Sequence, residues 1–268
     1  MTALAMPTWL VGCGHMAGAL VEGWRAADID LSGAVAIRPS GTQVEGVTTV
    51  TSIAMAGSGP QAVILGFKPQ KLDEVTQELA PHLSPQTVVI SILAGVEVAS
   101  LRARFPGAGA IVRAMPNLPT AVRRGVVALY SEDAGESLRE QLSILFDTLG
   151  FAPWVHSEDE LAAIGAVAGA GPAYAARFIA ALAKAGEARG LPPKLAATVA
   201  LETVLGTGWM AAASGAAMAD IARRVASPNG TTEAGLAVLD RALDDLIAVT
   251  IEAAARRGSE LAADARLS

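Results

Sequence analysis

Two short segments carry groups whose types and spacing suit chemistry. Gly12-Cys13-Gly14-His15-Met16-Ala17 places two glycines two residues apart and a small residue three further on. The first glycine permits a tight turn, the second lets an anion approach the backbone, and the small residue lets a following helix pack closely on the preceding strand. Ser227-Pro228-Asn229-Gly230-Thr231-Thr232 offers hydroxyls and consecutive amides ahead of a helical stretch. That arrangement takes a carboxylate; it also suits Thr231 or Thr232 acting simply as an N-cap. The three histidines, His15, His82 and His156, read as surface or structural residues. The single cysteine, Cys13, rules out an internal disulfide and a zinc site built on several thiolates, so no metal site is expected. Its place beside a helix N-terminus allows a lowered thiol pKa, although packing is the preferred reading.

The elements that must hold these groups follow from the hydrophobic pattern. Strands are expected at Trp9–Val11, Ala34–Ile37, Ala62–Gly66, Thr87–Ile92, Ala110–Arg113, Val126–Tyr130 and Ala152–Val155. Helical stretches lie between them, among them one after the glycine segment to about Arg25, Val75–Leu79 and Leu138–Leu149. Alternation of this kind builds a mostly parallel sheet. Runs such as Ala62-Val63-Ile64-Leu65 and Val88-Val89-Ile90 do not alternate with polar residues, as expected of strands covered on both faces. After Ser157 no strand pattern remains and alanine-rich helical periodicity takes over, with breaks at Gly190-Leu191-Pro192-Pro193, Ser214-Gly215 and Ser227 to Gly230. The expected fold is therefore α/β, a Rossmann-type domain over residues 1–157 followed by an all-α domain over 158–268.

The 268 residues are 52% hydrophobic and 17% charged, a globular balance. A net charge of −6 leaves no excess cation for a nucleic acid or an acidic membrane surface. The N-terminus lacks a secretion signal's basic start and apolar run. The longest apolar stretch, about Leu161 to Ala185, carries Arg177 and Lys184 and is interrupted by Gly169, Gly171 and Pro172, so no membrane span is expected. A cytoplasmic protein is the expectation.

Between a strand and a helix, Gly12 to Ala17 reads as a dinucleotide pyrophosphate loop. An NAD site normally ends its next strand with Asp or Glu. Here that strand ends Arg38-Pro39-Ser40, with Arg38 24 residues beyond Gly14. A guanidinium and a hydroxyl suit a 2′-phosphate, so NADP(H) is preferred and NAD(H) is the weaker alternative.

Further segments make the pattern specific: Phe67-Lys68-Pro69-Gln70, Arg113-Ala114-Met115-Pro116-Asn117-Leu118-Pro119, Ala168-Gly169-Ala170-Gly171-Pro172-Ala173-Tyr174 and the Ser227 loop. With the glycine segment, and in this order, they resemble the pyrroline-5-carboxylate reductase family over nearly the whole chain. The resemblance implies reduction of 1-pyrroline-5-carboxylate to L-proline, the last step of proline biosynthesis. It implies that Gly12, Gly14, His15, Met16 and Ala17 hold the pyrophosphate and that Arg38 and Ser40 meet the 2′-phosphate. Lys68 and Pro69 would lie along the nicotinamide ribose, Ala94 by the carboxamide and Asn117 at the cleft. Ser227, Gly230, Thr231 and Thr232 would bind the substrate acid, with Thr232 facing the ring nitrogen as the catalytic group and Glu158 near the substrate. It implies a homodimer or larger homo-oligomer formed through the helical domain, with a small cyclic imine as the other partner. Where the family usually has serines this chain has Ala168 and Ala170, and it has Asn229 for a second glycine and Ala162 near an acidic position. A related cyclic imine or ketimine reductase, or a non-catalytic NADPH-binding regulator, is therefore the alternative.

Overall fold

A computed structural model describes residues 7–57 and 59–267. Eight strands, β1 (Thr8–Val11), β2 (Ala34–Ile37), β3 (Thr48–Val50), β4 (Ala62–Leu65), β5 (Val88–Ser91), β6 (Ala110–Pro116), β7 (Gly125–Tyr130) and β8 (Gly150–Phe151), form one sheet in the order β3-β2-β1-β4-β5-β6-β7-β8. Every neighbouring pair is parallel except β6 with β7. Helices α1 (His15–Ala26), α2 (Leu72–Leu79), α3 (Val98–Arg104) and α4 (Glu136–Asp147) are interleaved with the strands.

The unalternating strands have both faces buried, as expected. Leu10, Ile64, Ile90 and Val112 pack on one side with Leu20 and Trp24 of α1 and Phe146 of α4. Their neighbours Trp9, Val11, Val63, Leu65, Val89 and Ile111 pack on the other with Leu72, Leu79 and Leu101 of α2 and α3. Adjacent residues point to opposite sides of a pleat, so a run without polar residues feeds two cores at once.

Two expectations about elements need correction. The last strand is Gly150–Phe151 rather than Ala152–Val155, because Pro153 has no amide to give a ladder; Trp154 makes only a single bridge to Leu129. The stretch from Glu158 is also not interrupted at its glycines: α5 (Glu158–Ile164) passes through a π-turn at Gly165–Gly169 toward α6 (Gly171–Ala188). Pro172 comes just after the π-turn, where the regular backbone ladder is already displaced and a missing amide hydrogen is tolerated. By length and composition Glu158–Ala188 and α7 (Pro193–Ser214) are both long and apolar enough to cross a membrane, which corrects the sequence-based expectation that no stretch qualifies.

The chain divides into two compact units, one of residues 1–170 with 254–268 and one of residues 171–253. Ser157 caps α5 through its hydroxyl at the Glu160 amide, 3.1 Å away. In the second unit α6 and α7 turn on Gly190 (φ +95) and pack through small residues. Ala183, Ala196 and Ala200 are buried, and a methyl on Gly186 would lie 3.5 Å from Ala196 Cβ. The shorter α8 (Met218–Val225) and α9 (Thr231–Leu239) and the long α10 (Leu243–Leu267) follow.

Candidate active site

The carboxyl ends of β2, β1, β4 and β5 are neighbours in the sheet, and strand order changes direction between β1 and β4. Open α/β sheets bind ligands at such a point. Gly12 follows β1 with φ +75, and its amide donates to Ile37 O at 2.9 Å. A methyl there would lie 2.9 Å from Phe67 Cβ and 3.0 Å from the Gly66 backbone. Glycine is thus required twice over, by conformation and by space. One on Gly66 would meet Gly12 O at 2.7 Å and Ala17 Cβ at 2.9 Å, which explains the small residue at position 17.

Gly14 differs. It is the N-cap of α1, with ordinary extended angles (φ −81, ψ −157), and nothing lies within 4 Å of where its side chain would be. No side chain caps the helix and no acid occupies its first turn. Gly18 is the first residue whose amide reaches back into the helix, to Gly14 O at 2.8 Å. The amides of His15, Met16 and Ala17 therefore lack an intrahelical acceptor at a helix end whose Gly14 and His15 line an open cleft, a ready anion site.

Arg38 joins this region. It shares with Gly14, His15 and Gly18 an open cleft of about 1190 Å³, completed by Val44 and Leu118 among others. Its Nη1 donates to Thr42 O at 3.0 Å, and the Ser40 and Thr42 hydroxyls are 3.0 Å apart. Thr42 thus orders both predicted 2′-phosphate groups, a part that local spacing did not reveal. Arg25 holds the same loop to α1 through Glu45 at 2.5 Å.

Cys13 lies under the turn, 4% exposed and within the core. Burial raises its thiol pKa and outweighs the opposing charge of Arg38, which overturns a lowered value. A raised value means that the folded protein holds the proton while the unfolded chain would release it. Stability is therefore unaffected by this group below its ordinary titration range and falls as pH climbs through and above it. Cys13 should not react with a disulfide reagent at pH 8 in the folded protein and should react at once in denaturant.

The remaining nucleotide-side residues fall at adjacent strand ends. Lys68 is exposed and precedes a 3-10 turn begun by Pro69. Ala94 is exposed between buried Leu93 and Gly95 (φ +77). Asn117, 6% exposed, is committed to the protein: its Oδ1 accepts from the Val126 amide at 2.9 Å and its Nδ2 donates to Ala168 O at 3.0 Å. Glu158 is committed as well. One oxygen accepts from the Val98 amide at 2.8 Å and the other pairs with Arg113. The structure thus ties both oxygens of a residue expected beside the substrate into links between strand β6, α3 and α5.

In the helical unit, Asn229 adopts the left-handed region (φ +58) and its amide donates to Glu233 Oε2 at 2.6 Å. The N-cap of α9 is Gly230, with no side-chain capping bond, so neither Thr231 nor Thr232 is the cap. A methyl on Gly230 would lie 2.3 Å from Ser227 Oγ, hence the glycine. Thr231 and Thr232 begin the helix with hydroxyls that show no protein partner among the described residues. Ala234 is the first to reach back, to Gly230 O at 3.2 Å.

A doubly covered parallel sheet, an uncapped glycine turn at its switch point and a basic residue on the next strand define a dinucleotide-dependent oxidoreductase. Residues 158–261 match a family described as pyrroline-5-carboxylate reductase dimerisation, and residues 9–95 one described as NADP oxidoreductase, coenzyme F420-dependent. A pyrroline-5-carboxylate reductase of Pseudomonas aeruginosa is 36% identical over 94% of this chain and 95% of its own. One from Synechocystis is 39% identical over 77% of each. The solved structure of a pyrroline-5-carboxylate reductase from Coxiella burnetii superposes with a TM-score of 0.88 at 30% identity, covering 96% of this chain and 99% of that one. The chain belongs to the pyrroline-5-carboxylate reductase family.

Proposed function

We propose that this protein reduces 1-pyrroline-5-carboxylate to L-proline, the last step of proline biosynthesis, using NADPH in preference to NADH. The observation that carries this reading is the uncapped, acid-free N-terminus of α1 facing open space beside Arg38, in a chain that matches a named reductase nearly end to end. Residues 1–157 hold the dinucleotide: amides of His15, Met16 and Ala17 take the pyrophosphate, Arg38 and Ser40 the 2′-phosphate, and Lys68, Pro69 and Ala94 line the nicotinamide end. When bound, the dinucleotide supplies a hydride to the imine carbon.

The protein's own task is to hold the reactants and exclude water, because a protonated cyclic imine is already a good electrophile. Amides at the start of α9, with Ser227 and Gly230, take the substrate carboxylate in residues 158–268. The Thr231 hydroxyl joins that contact, and the Thr232 hydroxyl orients the ring nitrogen, which carries its proton into the product amine. We assign Asn117 to supporting the cleft wall through Ala168 rather than to touching the dinucleotide.

The apolar helices are assigned to self-association, as a homodimer or larger ring, in a cytoplasmic protein. Phe178, Leu205 and Trp209 are exposed on α6 and α7, both within residues matched to a dimerisation family. Large apolar side chains left exposed along two long helices call for a partner surface.

The test is NADPH oxidation followed by absorbance. Rapid turnover with 1-pyrroline-5-carboxylate is expected; turnover only of a different cyclic imine, or none, would overturn the reading. Replacing Arg38 by Asp should lower NADPH affinity tenfold to a hundredfold, since a charge-assisted hydrogen bond contributes about 1.5–3 kcal/mol. NADH should then become the better donor, because a carboxylate at this strand end accepts from the ribose hydroxyls. Unchanged NADPH affinity would dismiss the 2′-phosphate assignment.

A further inference from the structure

One face of β6 holds the start of the helical segment. Arg113 and Met115 alternate along that strand, and Asn117, just past its end with extended angles (φ −122, ψ 164), continues the same spacing. They meet residues 158, 165 and 168 in turn: Arg113 pairs with Glu158, Met115 Cε lies 3.4 Å from a methyl placed on Gly165, and Asn117 donates to Ala168 O. Within this row the first pair does something more. Glu158 Oε1 accepts from the amide of Val98, the first residue of α3, across 60 residues of sequence. Glu97, which occupies the capping position of α3, makes no side-chain capping bond. The missing cap is therefore supplied from the first residue of α5.

The segment so fastened is the turn between β5 and α3. At its start Ile92 donates to Leu65 O at 3.1 Å, and at its end Val98 is held by Glu158. Leu93, Val96 and Val98 are buried beneath it while Ala94 is exposed at its crest. Arg113 is only 7% exposed, and its Nε has no partner. Its charge consequently rests on Glu158, and in a low-dielectric setting that fixes where the carboxylate stands.

We propose that Glu158, oriented by Arg113, is a positioning residue for the Ala94 turn and thereby for the nicotinamide end of the dinucleotide. It is not a ligand of the substrate. The proposal rests on the assignment of Ala94 to that end of the cofactor and adds the device that holds it. Glu158 at the head of α5 ties together a strand end, a loop crest and the root of the helical half.

Four variants of the full-length protein test this: Glu158→Ala, Glu158→Gln, Arg113→Met and the double change of Arg113→Met with Glu158→Met. Four readouts are needed: hydrogen exchange at the Val98 amide, the NADPH dissociation constant by fluorescence titration, KM for pyrroline-5-carboxylate, and thermal stability by melting. In Glu158→Ala, Val98 should lose its protection and NADPH should bind about tenfold more weakly, the size of one charge-assisted hydrogen bond. Substrate KM should stay within about twofold. Glu158→Gln keeps an acceptor for Val98 and should fall between, and Arg113→Met should resemble it. The double variant removes the buried cation with its partner and should recover thermal stability without recovering Val98 protection or NADPH affinity. Recovery of all three would make the pair merely structural and overturn the proposal. So would protected Val98 in Glu158→Ala, or a rise in substrate KM without a change in NADPH affinity. If the parent protein itself bound no NADPH, the assignment of function would fail instead, while the exchange result would still report on the clasp.

Discussion

Gly14→Asp is expected to fold at least as well as the parent protein and to bind NADPH less than a hundredth as tightly. Gly14 occupies the N-cap of α1 with extended angles that aspartate adopts freely, and its side-chain direction is open. Aspartate is a better cap than glycine by a few tenths of a kcal/mol, and its charge gains about 0.3–1 kcal/mol more from the helix dipole. Folding alone would therefore choose aspartate here. The same carboxylate would take the amides meant for the pyrophosphate and set a negative charge against it. At about 4 Å and an effective dielectric of about 20, that repulsion is of order 4 kcal/mol. That is more than the roughly 2.7 kcal/mol that a hundredfold loss requires. A thermal melt beside an NADPH titration separates the two effects: a stable protein with undiminished affinity would remove the pyrophosphate from this turn.

Gly23→Ala should be strongly destabilising, although alanine in a helix normally improves on glycine by about 0.8–1 kcal/mol. Gly23 is where α1 crosses the 3-10 turn Leu118–Val122. A methyl there would lie 2.2 Å from Thr120 O and 2.7 Å from Leu149 Cδ2. The first neighbour is backbone and cannot rotate away, so α1 must lift. Overpacking of this kind costs about 1–3 kcal/mol or more, and a net loss of about 2 kcal/mol should lower the melting temperature by on the order of 5 °C. Because α1 also presents Gly14 to Ala17, NADPH affinity should fall with it. Gly18→Ala is the control: it lies in the same helix with nothing within 4 Å, so it should raise stability. A higher melting temperature for Gly23→Ala would contradict the packing described.

The architecture was legible because its signals are local. A strand such as Ala62 to Leu65 shows double burial in four consecutive residues, and Gly12, Gly14 and Ala17 state three separate needs at fixed spacing. Gly190 and Ser214-Gly215 end helices where expected because positive φ at Gly190 and Gly215 favours glycine. β3 escaped because Thr48, Thr49 and Val50 are short, partly exposed edge residues. α3 escaped because seven residues hardly develop a period. A threonine cap on α9 was the alternative to a carboxylate site, and the left-handed Asn229 moves the cap to Gly230, a backbone choice that hydroxyl-bearing residues do not announce. The larger gap is in the site. Glu158 meets Val98 and Arg113 across 60 and 45 residues, and Asn117 meets Ala168 across 51. Nothing in local spacing records which distant backbone group a side chain will satisfy. The resemblance brought Glu158 and Asn117 to notice, but only the fold shows how fully the protein itself employs them.

The bare flanks of α6 and α7 carry a consequence for the life of a newly made chain. With Leu195, Val199 and Leu205 exposed in a segment that matches a dimerisation family, assembly requires encounters between copies of this chain, so it quickens as they become more concentrated. Heat tolerance then depends on how crowded the solution is: a dilute sample melts earlier than a concentrated one of identical sequence. A cell that makes few copies lengthens the interval in which each sticky chain waits for another of its kind.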